Sequence, residues 1–263
     1  MTTRVARPLV FVALALAIPL SAPAKAQEMP TVMPNNYVMS DILNRQRVDS
    51  AINSRRGGDA RSAQRPASRP SAPPAGSPGH PAAGDPALTQ TTYRASPEVS
   101  ARVRQQFADW MGKQAGPDGG RQIAQAMARR DPVRNWAQIV GADGLRPGDT
   151  ADAMASYWIL NWVMANGADN NRAQAQAVRE QVRRMIASNP GYARLNEAQR
   201  QELSETLMLN FLVQHAAYVD AMKRGDRATA GQLGDAAVVR FRNEMGVDLR
   251  RLDLTDDGFI QAG

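Results

Sequence analysis

The sequence predicts an all-α fold: a compact bundle of about seven helices packed around two buried apolar ones. Three observations predict it. From residue 96 onward apolar side chains recur at i, i+3, i+4 and i+7 spacing. Two stretches, 153–165 and 203–219, are apolar on nearly every side, which buries a helix all round. No alternating β-branched run and no strand–helix–strand rhythm breaks the pattern. The expectation is that these two stretches lie back to back at the centre.

The chain has 263 residues, 43% apolar and 22% charged, enough for a core in one or two domains of ~100–200 residues each. It has no Cys, which excludes disulfides, thiolate catalysis and Cys-ligated metal sites. Its 2 His cannot build a three-His zinc centre.

Taken in order, residues 1–26 have the layout of a secretory signal. Arg4 and Arg7 precede the apolar run Leu9–Leu20, and Ala24 and Ala26 put small residues before Gln27. The run is shorter than the ~20 residues a membrane span needs. The reading is therefore export, with a periplasmic or secreted mature chain that has no transmembrane span. Residues 27–53 form a short arm, in which Ser40 can cap a helix carrying Ile42, Val48 and Ile52. Residues 54–95 are rich in Pro, Ala, Ser, Gly and Arg and lack large apolar side chains, the composition of a disordered spacer. His80 within it reads as solvated.

Residues 96–263 form the helical domain. Ser96-Pro97-Glu98 reads as a helix start, followed by Val99, Val103, Phe107, Trp110 and Met111 on one stripe; Gly116-Pro117 ends that helix. A second helix runs from about Asp118 to Arg130, with Ile123 and Met127 inward. Asp131-Pro132 opens a third with Val133, Trp136, Ile139 and Val140. Asp149 or Thr150 caps the fourth, which Gly167 stops. The fifth runs from about Asn171 to Ala187, and Asn189-Pro190-Gly191 breaks the chain. Asn196, with Gln199 three residues on, starts a long sixth helix ending before Gly225. Asp226 caps a seventh that Gly246 stops, and the tail from 247 packs back on the bundle.

Charge argues against a nucleic-acid partner. The net charge is +7, but residues 1–95 hold 11 basic and 5 acidic groups, whereas residues 96–263 hold 21 and 20. A nucleic-acid binder concentrates basic groups on its folded surface. The partners expected instead are another cell-envelope protein or cell-wall polymer.

One candidate site stands out. Asn161 in the fourth helix, Asn210 and Gln214 one turn apart in the sixth, and neighbouring His215 and Tyr218 are polar groups in an apolar setting. They form either a satisfied buried network or, with Tyr157, Trp158 and Trp162, a small ligand pocket. Catalytic residues are not identifiable. Glu98, Glu180, Glu197, Glu202, Glu205 and Glu244 all fall on polar helix faces, and no nucleophile or phosphate-binding motif occurs. Asp253, Thr255, Asp257 and Gly258 imitate half of a calcium loop without its closing acid, so that stretch reads as a turn with Gly258 at positive φ, and no metal or cofactor is expected.

Tyr93-Arg94-Ala95-Ser96-Pro97, the stretch around Tyr157-Trp158 and the ending Leu254-Thr255-Asp256 to Gly258-Phe259 resemble an uncharacterised family of exported, all-helical bacterial proteins, a domain of unknown function. The resemblance runs from Tyr93 to the tail and implies an exported helical domain. The function expected is a non-enzymatic binding or interaction module. The alternative is a cell-envelope enzyme, such as a cell-wall hydrolase, with its site between the fourth and sixth helices.

Overall fold

A helix without a polar face has no side to turn toward water, and the rest of the chain is arranged around that fact. In the computed structural model, which describes residues 90–262, that helix is α3, Thr150–Asn166; fourteen of its residues from Thr150 to Met164 and then Ala165 are buried, with Val163 alone half-buried. The leader, the arm and the spacer up to residue 89 lie outside the described residues.

Seven α-helices are present among the described residues. They are α1 (Pro97–Arg129), α2 (Pro132–Val140), α3, α4 (Arg172–Ala187), α5 (Pro190–Ala193), α6 (Glu197–Lys223) and α7 (Arg227–Met245). Two short strands follow, β1 (Leu252–Thr255) and β2 (Gly258–Gln261), paired antiparallel with Leu254 opposite Phe259. Around α3 pack α4, α6, α7 and the 3₁₀ turn Leu249–Arg251, so the bundle is all-α with a small hairpin closing one side.

The starts and stops follow local chemistry. Asp131, Asp149, Asn171, Asn196 and Asp226 each accept a backbone N–H of the helix they precede, and Asn171/Gln174 and Asn196/Gln199 complete reciprocal capping boxes. Gly167 and Gly246 end α3 and α7 in the left-handed conformation. Ser96 is an exception. It was expected to cap α1, but its hydroxyl turns to the Glu98 carboxylate instead.

The two helices expected over 96–130 are two arms of α1, folded at Gly116, whose φ of 83° and ψ of 166° no helix allows. The arms touch closely. A Cβ on Gly120 would lie 2.8 Å from the Gly112 Cα. Their contact builds a satellite core of Val99, Val103, Phe107, Met111 and Ile123 against Leu209 of α6. The break at Asn189-Pro190-Gly191 turns out to be the one-turn helix α5, capped by Asn189. The hairpin was missed although β1, Leu252-Asp253-Leu254-Thr255, alternates apolar and polar; four residues are the least that can carry that signal, and β2, Gly258-Phe259-Ile260-Gln261, does not alternate. Gly258, at φ 101°, does take the positive φ expected of it.

Residues 91–95 belong to the domain and not to the spacer. Thr91 and Tyr93 are buried. The Tyr93 N–H donates to the Gly148 carbonyl (3.0 Å) and the Thr150 N–H to the Thr91 carbonyl (2.9 Å). Their composition gave little warning, because Tyr93 is their one aromatic residue and the backbone and hydroxyl bonds around it leave no trace in composition.

Helices α3 and α7 approach to backbone contact at Gly234, where an added Cβ would lie 2.4 Å from the Met164 carbonyl oxygen. Gly234→Ala is expected to cost about 1–3 kcal/mol in denaturant unfolding. On the same helix Gly231 faces open space, so Gly231→Ala should be neutral or stabilising by up to about 1 kcal/mol.

Candidate functional site

The eight residues singled out by the sequence are not gathered into one pocket. Tyr157 stacks on Phe241 of α7, with ring centroids 5.9 Å apart, and Trp158 meets the same ring edge-on at 6.1 Å. Trp158 and Trp162 also pack on Phe259 of β2, at 6.5 and 6.3 Å. The indole N–H of Trp162 donates to the Leu252 carbonyl (2.8 Å). These aromatics are filled by α7 and by the hairpin, elements whose contacts no local pattern announces.

The polar members separate as well. Asn161 donates to the Tyr157 carbonyl one turn back (2.7 Å), and its side-chain oxygen accepts from the Arg240 guanidinium of α7 (2.5 Å). Asn210 donates to the Thr206 carbonyl (3.0 Å). Gln214 is buried, and its Oε1 accepts no hydrogen bond among the described residues. His215 is half-buried, with its ring stacked flat on Phe211 at 5.4 Å. Burial, with the Lys223 charge behind it, holds its pKa below the ordinary histidine range, so the ring is neutral at pH 7. Tyr218 is half-buried on the same helix.

The concentrated chemistry lies elsewhere, where the strap 91–96 meets the N-terminus of α3 and the first half of α6. The Tyr192 hydroxyl lies 2.9 Å from the Thr150 hydroxyl oxygen and 3.2 Å from the Thr91 carbonyl, and the Ser204 and Thr150 hydroxyl oxygens lie 3.0 Å apart. The Tyr93 hydroxyl joins through Ser204. Burial raises both tyrosine pKa values above the ordinary phenol range, so both remain donors.

Two buried carboxyls flank this hydroxyl network. Asp152, in the first turn of α3, accepts the Arg146 N–H through Oδ2 (2.8 Å), while its Oδ1 lies 3.7 Å from both the Arg179 and the Arg183 guanidinium of α4. Arg183 is shared with Asp149 (2.8 Å) and Glu180 (2.8 Å), and Arg179 with Glu180 (2.8 Å). Burial pushes the Asp152 carboxyl up to about 6, against the pull of the Arg146 N–H and the two arginines. Glu205 of α6 accepts from Ser100 (2.7 Å) and from Gln201 (2.8 Å). Beside it lies a crevice of about 10 Å³ walled by Arg104, Pro132, Val133, Met208 and Leu209, about the room of one water molecule. Burial holds the Glu205 carboxyl above its ordinary range too. The sequence placed Glu205 on a polar face; that is corrected here, since α1 and the strap cover the side of α6 that carries it. Asp152 passed unnoticed because an acid in the first turn of a helix is explained by the helix dipole alone. The signal available was its setting: it is the one Asp, Glu, Lys or Arg between Thr150 and Asn166.

Chemically, this junction can take up and release protons near neutral pH, and its hydroxyls hold two segments of backbone in register. No group of three or more His, Cys, Asp or Glu with metal-binding geometry occurs among the described residues.

An all-α bundle closed by a C-terminal hairpin, with its polar groups concentrated at one junction, is thus the kind of protein this is. The chain belongs to a family of unknown function, DUF6683, whose family model matches residues 5–261. No curated protein and no solved structure matches it.

Because the folded Asp152 carboxyl has the higher pKa, the folded state holds its proton more tightly than the unfolded chain. Stability from this group therefore increases as pH falls from 7 toward 5, by about 1 kcal/mol. Asp152→Asn should remove that slope in urea unfolding measured at pH 7, 6 and 5. An unchanged slope would show that Asp152 is not the group responsible.

Proposed function

We propose that the chain is an exported helical module that acts by binding another cell-envelope component, through an exposed face of α6 and without catalysis. Three features support this reading: the leader-like residues 1–26, the Pro/Ala/Ser/Arg-rich residues 54–89, and a domain with nearly balanced charge.

The observation that carries the proposal is a change of environment along α6. Every residue from Leu203 to Leu212 is buried. Beyond Gln214 the helix keeps its apolar composition and loses its cover. His215, Ala216, Ala217, Tyr218 and Val219 are all half-exposed, and Met222 is 54% exposed. Ala216, Val219 and Met222 follow at i, i+3 and i+6, one stripe on the side turned from the core. A contiguous apolar patch on a water-facing surface favours a partner, and this stripe supports that reading. The eight residues first singled out keep a place in this reading through His215 and Tyr218, which border the stripe.

A second reading has its own support. Asp152 and Glu205, on α3 and α6, are buried carboxyls held toward their protonated forms, a property shared with general acids. On that reading the protein is a cell-wall hydrolase with its site between those helices.

One experiment separates the two. A photo-crosslinking phenylalanine analogue at Met222, in cells expressing the full chain, should give a discrete adduct that the same analogue at Gln125 on α1 does not. Val219→Asp, at a half-exposed position, should reduce the adduct at least about tenfold while leaving the fold intact. Equal adducts from both positions would remove the binding reading. Release of soluble fragments from purified cell wall, abolished by Asp152→Asn or Glu205→Gln in folded protein, would establish the enzyme instead.

A further inference from the structure

The strap from Thr91 to Ser96 is held to the body by the buried Tyr93 ring and by a set of polar bonds. Its backbone pairs with Gly148 and Thr150 at one end. At the other, the Ser96 N–H donates to the Gln201 side-chain oxygen (2.8 Å), and the Gln201 amide nitrogen donates back to the Ser96 carbonyl (2.9 Å). That same amide nitrogen reaches the Ser100 hydroxyl (3.0 Å) and Glu205 (2.8 Å). Glu205 therefore sets the orientation of the side chain that grips Ser96.

We propose that Glu205 makes this strap a proton-tightened clasp: protonation of its carboxyl fastens residues 91–96 more firmly to α3 and α6, and ionisation loosens them while the bundle stays folded.

The geometry gives the sign. Facing Glu205 are Gln201 on its own helix, Ser100 and Arg104 on α1, Asp131 in the turn before α2, and Tyr93 on the strap. Arg104 is the one cation of this set, and it is shared with Asp131 at 3.8 Å. An ionised Glu205 keeps the Ser100 hydroxyl and the Gln201 amide as donors, but its one cation is shared, so part of the water it loses when the strap is down goes unreplaced. Lifting the strap withdraws Tyr93 and lets water in, so the open form favours the ionised carboxyl and the closed form the protonated one. Burial raising the Glu205 pKa accords with this. A carboxyl whose closed-state pKa lies above the open-state value strengthens closure as pH falls toward the ordinary carboxylate range and loses that contribution as pH rises through the closed-state value. Protonation leaves an oxygen free to accept from Ser100 and Gln201, so the grip on Ser96 survives it.

The consequence lies in how residues 1–90 are attached. A fastened strap fixes the direction in which the chain enters the domain, and a loosened one frees residues 91–96 from that position. The device stands on the junction itself and does not depend on the binding face of α6.

Amide hydrogen exchange on the full chain, corrected for intrinsic rates, tests it. From pH 7.5 to 5.0 the protection of Tyr93, Ser96 and Thr150 should increase by at least about threefold relative to Leu160 in the core. Glu205→Gln should give the acid-level protection at both pH values. The dependence should persist in Asp152→Asn, which removes the other buried carboxyl. In the unaltered chain, carbon NMR of the Glu205 carboxyl should give a titration midpoint that coincides with that of strap protection. Strap amides that follow Leu160 at every pH would overturn the proposal, as would a dependence that survives Glu205→Gln or vanishes in Asp152→Asn, or a carboxyl midpoint elsewhere.

Discussion

Burial of α3 on every side is the constraint on which the rest of the architecture depends. Its alanines at 151, 153 and 155 are fully buried and let neighbouring helices come close, and Gly234 brings α7 to the Met164 carbonyl. The larger side chains fill what remains: Trp158 and Trp162 against Phe241 and Phe259, and Trp136 of α2, whose indole donates to Ser156 (3.0 Å). Helices alone do not close the ring around α3. The C-terminal chain supplies the last side with Leu249, Leu252, Leu254 and Phe259, all buried.

That closure creates a second demand. A two-stranded hairpin pressed onto a core leaves backbone groups along both outer edges, and buried groups of this kind must be bonded. Here side chains meet the requirement. Gln181 accepts the Phe259 N–H (3.0 Å) and donates to the Phe259 carbonyl (2.9 Å), standing in for a third strand. Trp162 and Gln174 donate to the Leu252 and Leu254 carbonyls at 2.8 and 3.0 Å. The strap at the other end of the domain is treated alike, with Gln201 spanning both backbone groups of Ser96. Two glutamines, one on α4 and one on α6, thus act as pieces of backbone, a role invisible to any count of hydrophobic spacing.

The residues that carry chemistry were the hardest to locate from the chain alone. Glu205 looked solvent-facing because it follows Glu197, Arg200 and Glu202 in the polar start of α6. Its first half is covered by α1, α2 and the strap, and its last turns are not. The aromatic triplet Tyr157, Trp158 and Trp162 suggested a pocket because nothing in the sequence shows that Phe241 and Phe259, about 80 to 100 residues later, reach it. Asn161 was rightly marked as a buried polar group, yet its partner Arg240 stood in a helix read only for its apolar stripe. In each case the missing information was a contact between residues far apart along the chain.

Helix identity, most helix ends and the burial of 153–165 were settled by local chemistry. Capping side chains, glycine stops and the absence of a polar face act within one or two turns, and those signals survive in a linear string. The capping boxes at Asn171 and Asn196 and the fold in α1 at Gly116 are of this kind. Tertiary structure alone decided which carboxyls are buried, which aromatics touch, that residues 91–95 join the body, and that the tail forms strands. Each depends on what arrives from elsewhere in the chain to displace water, and desolvation by a distant segment leaves no periodic trace in the residues it covers.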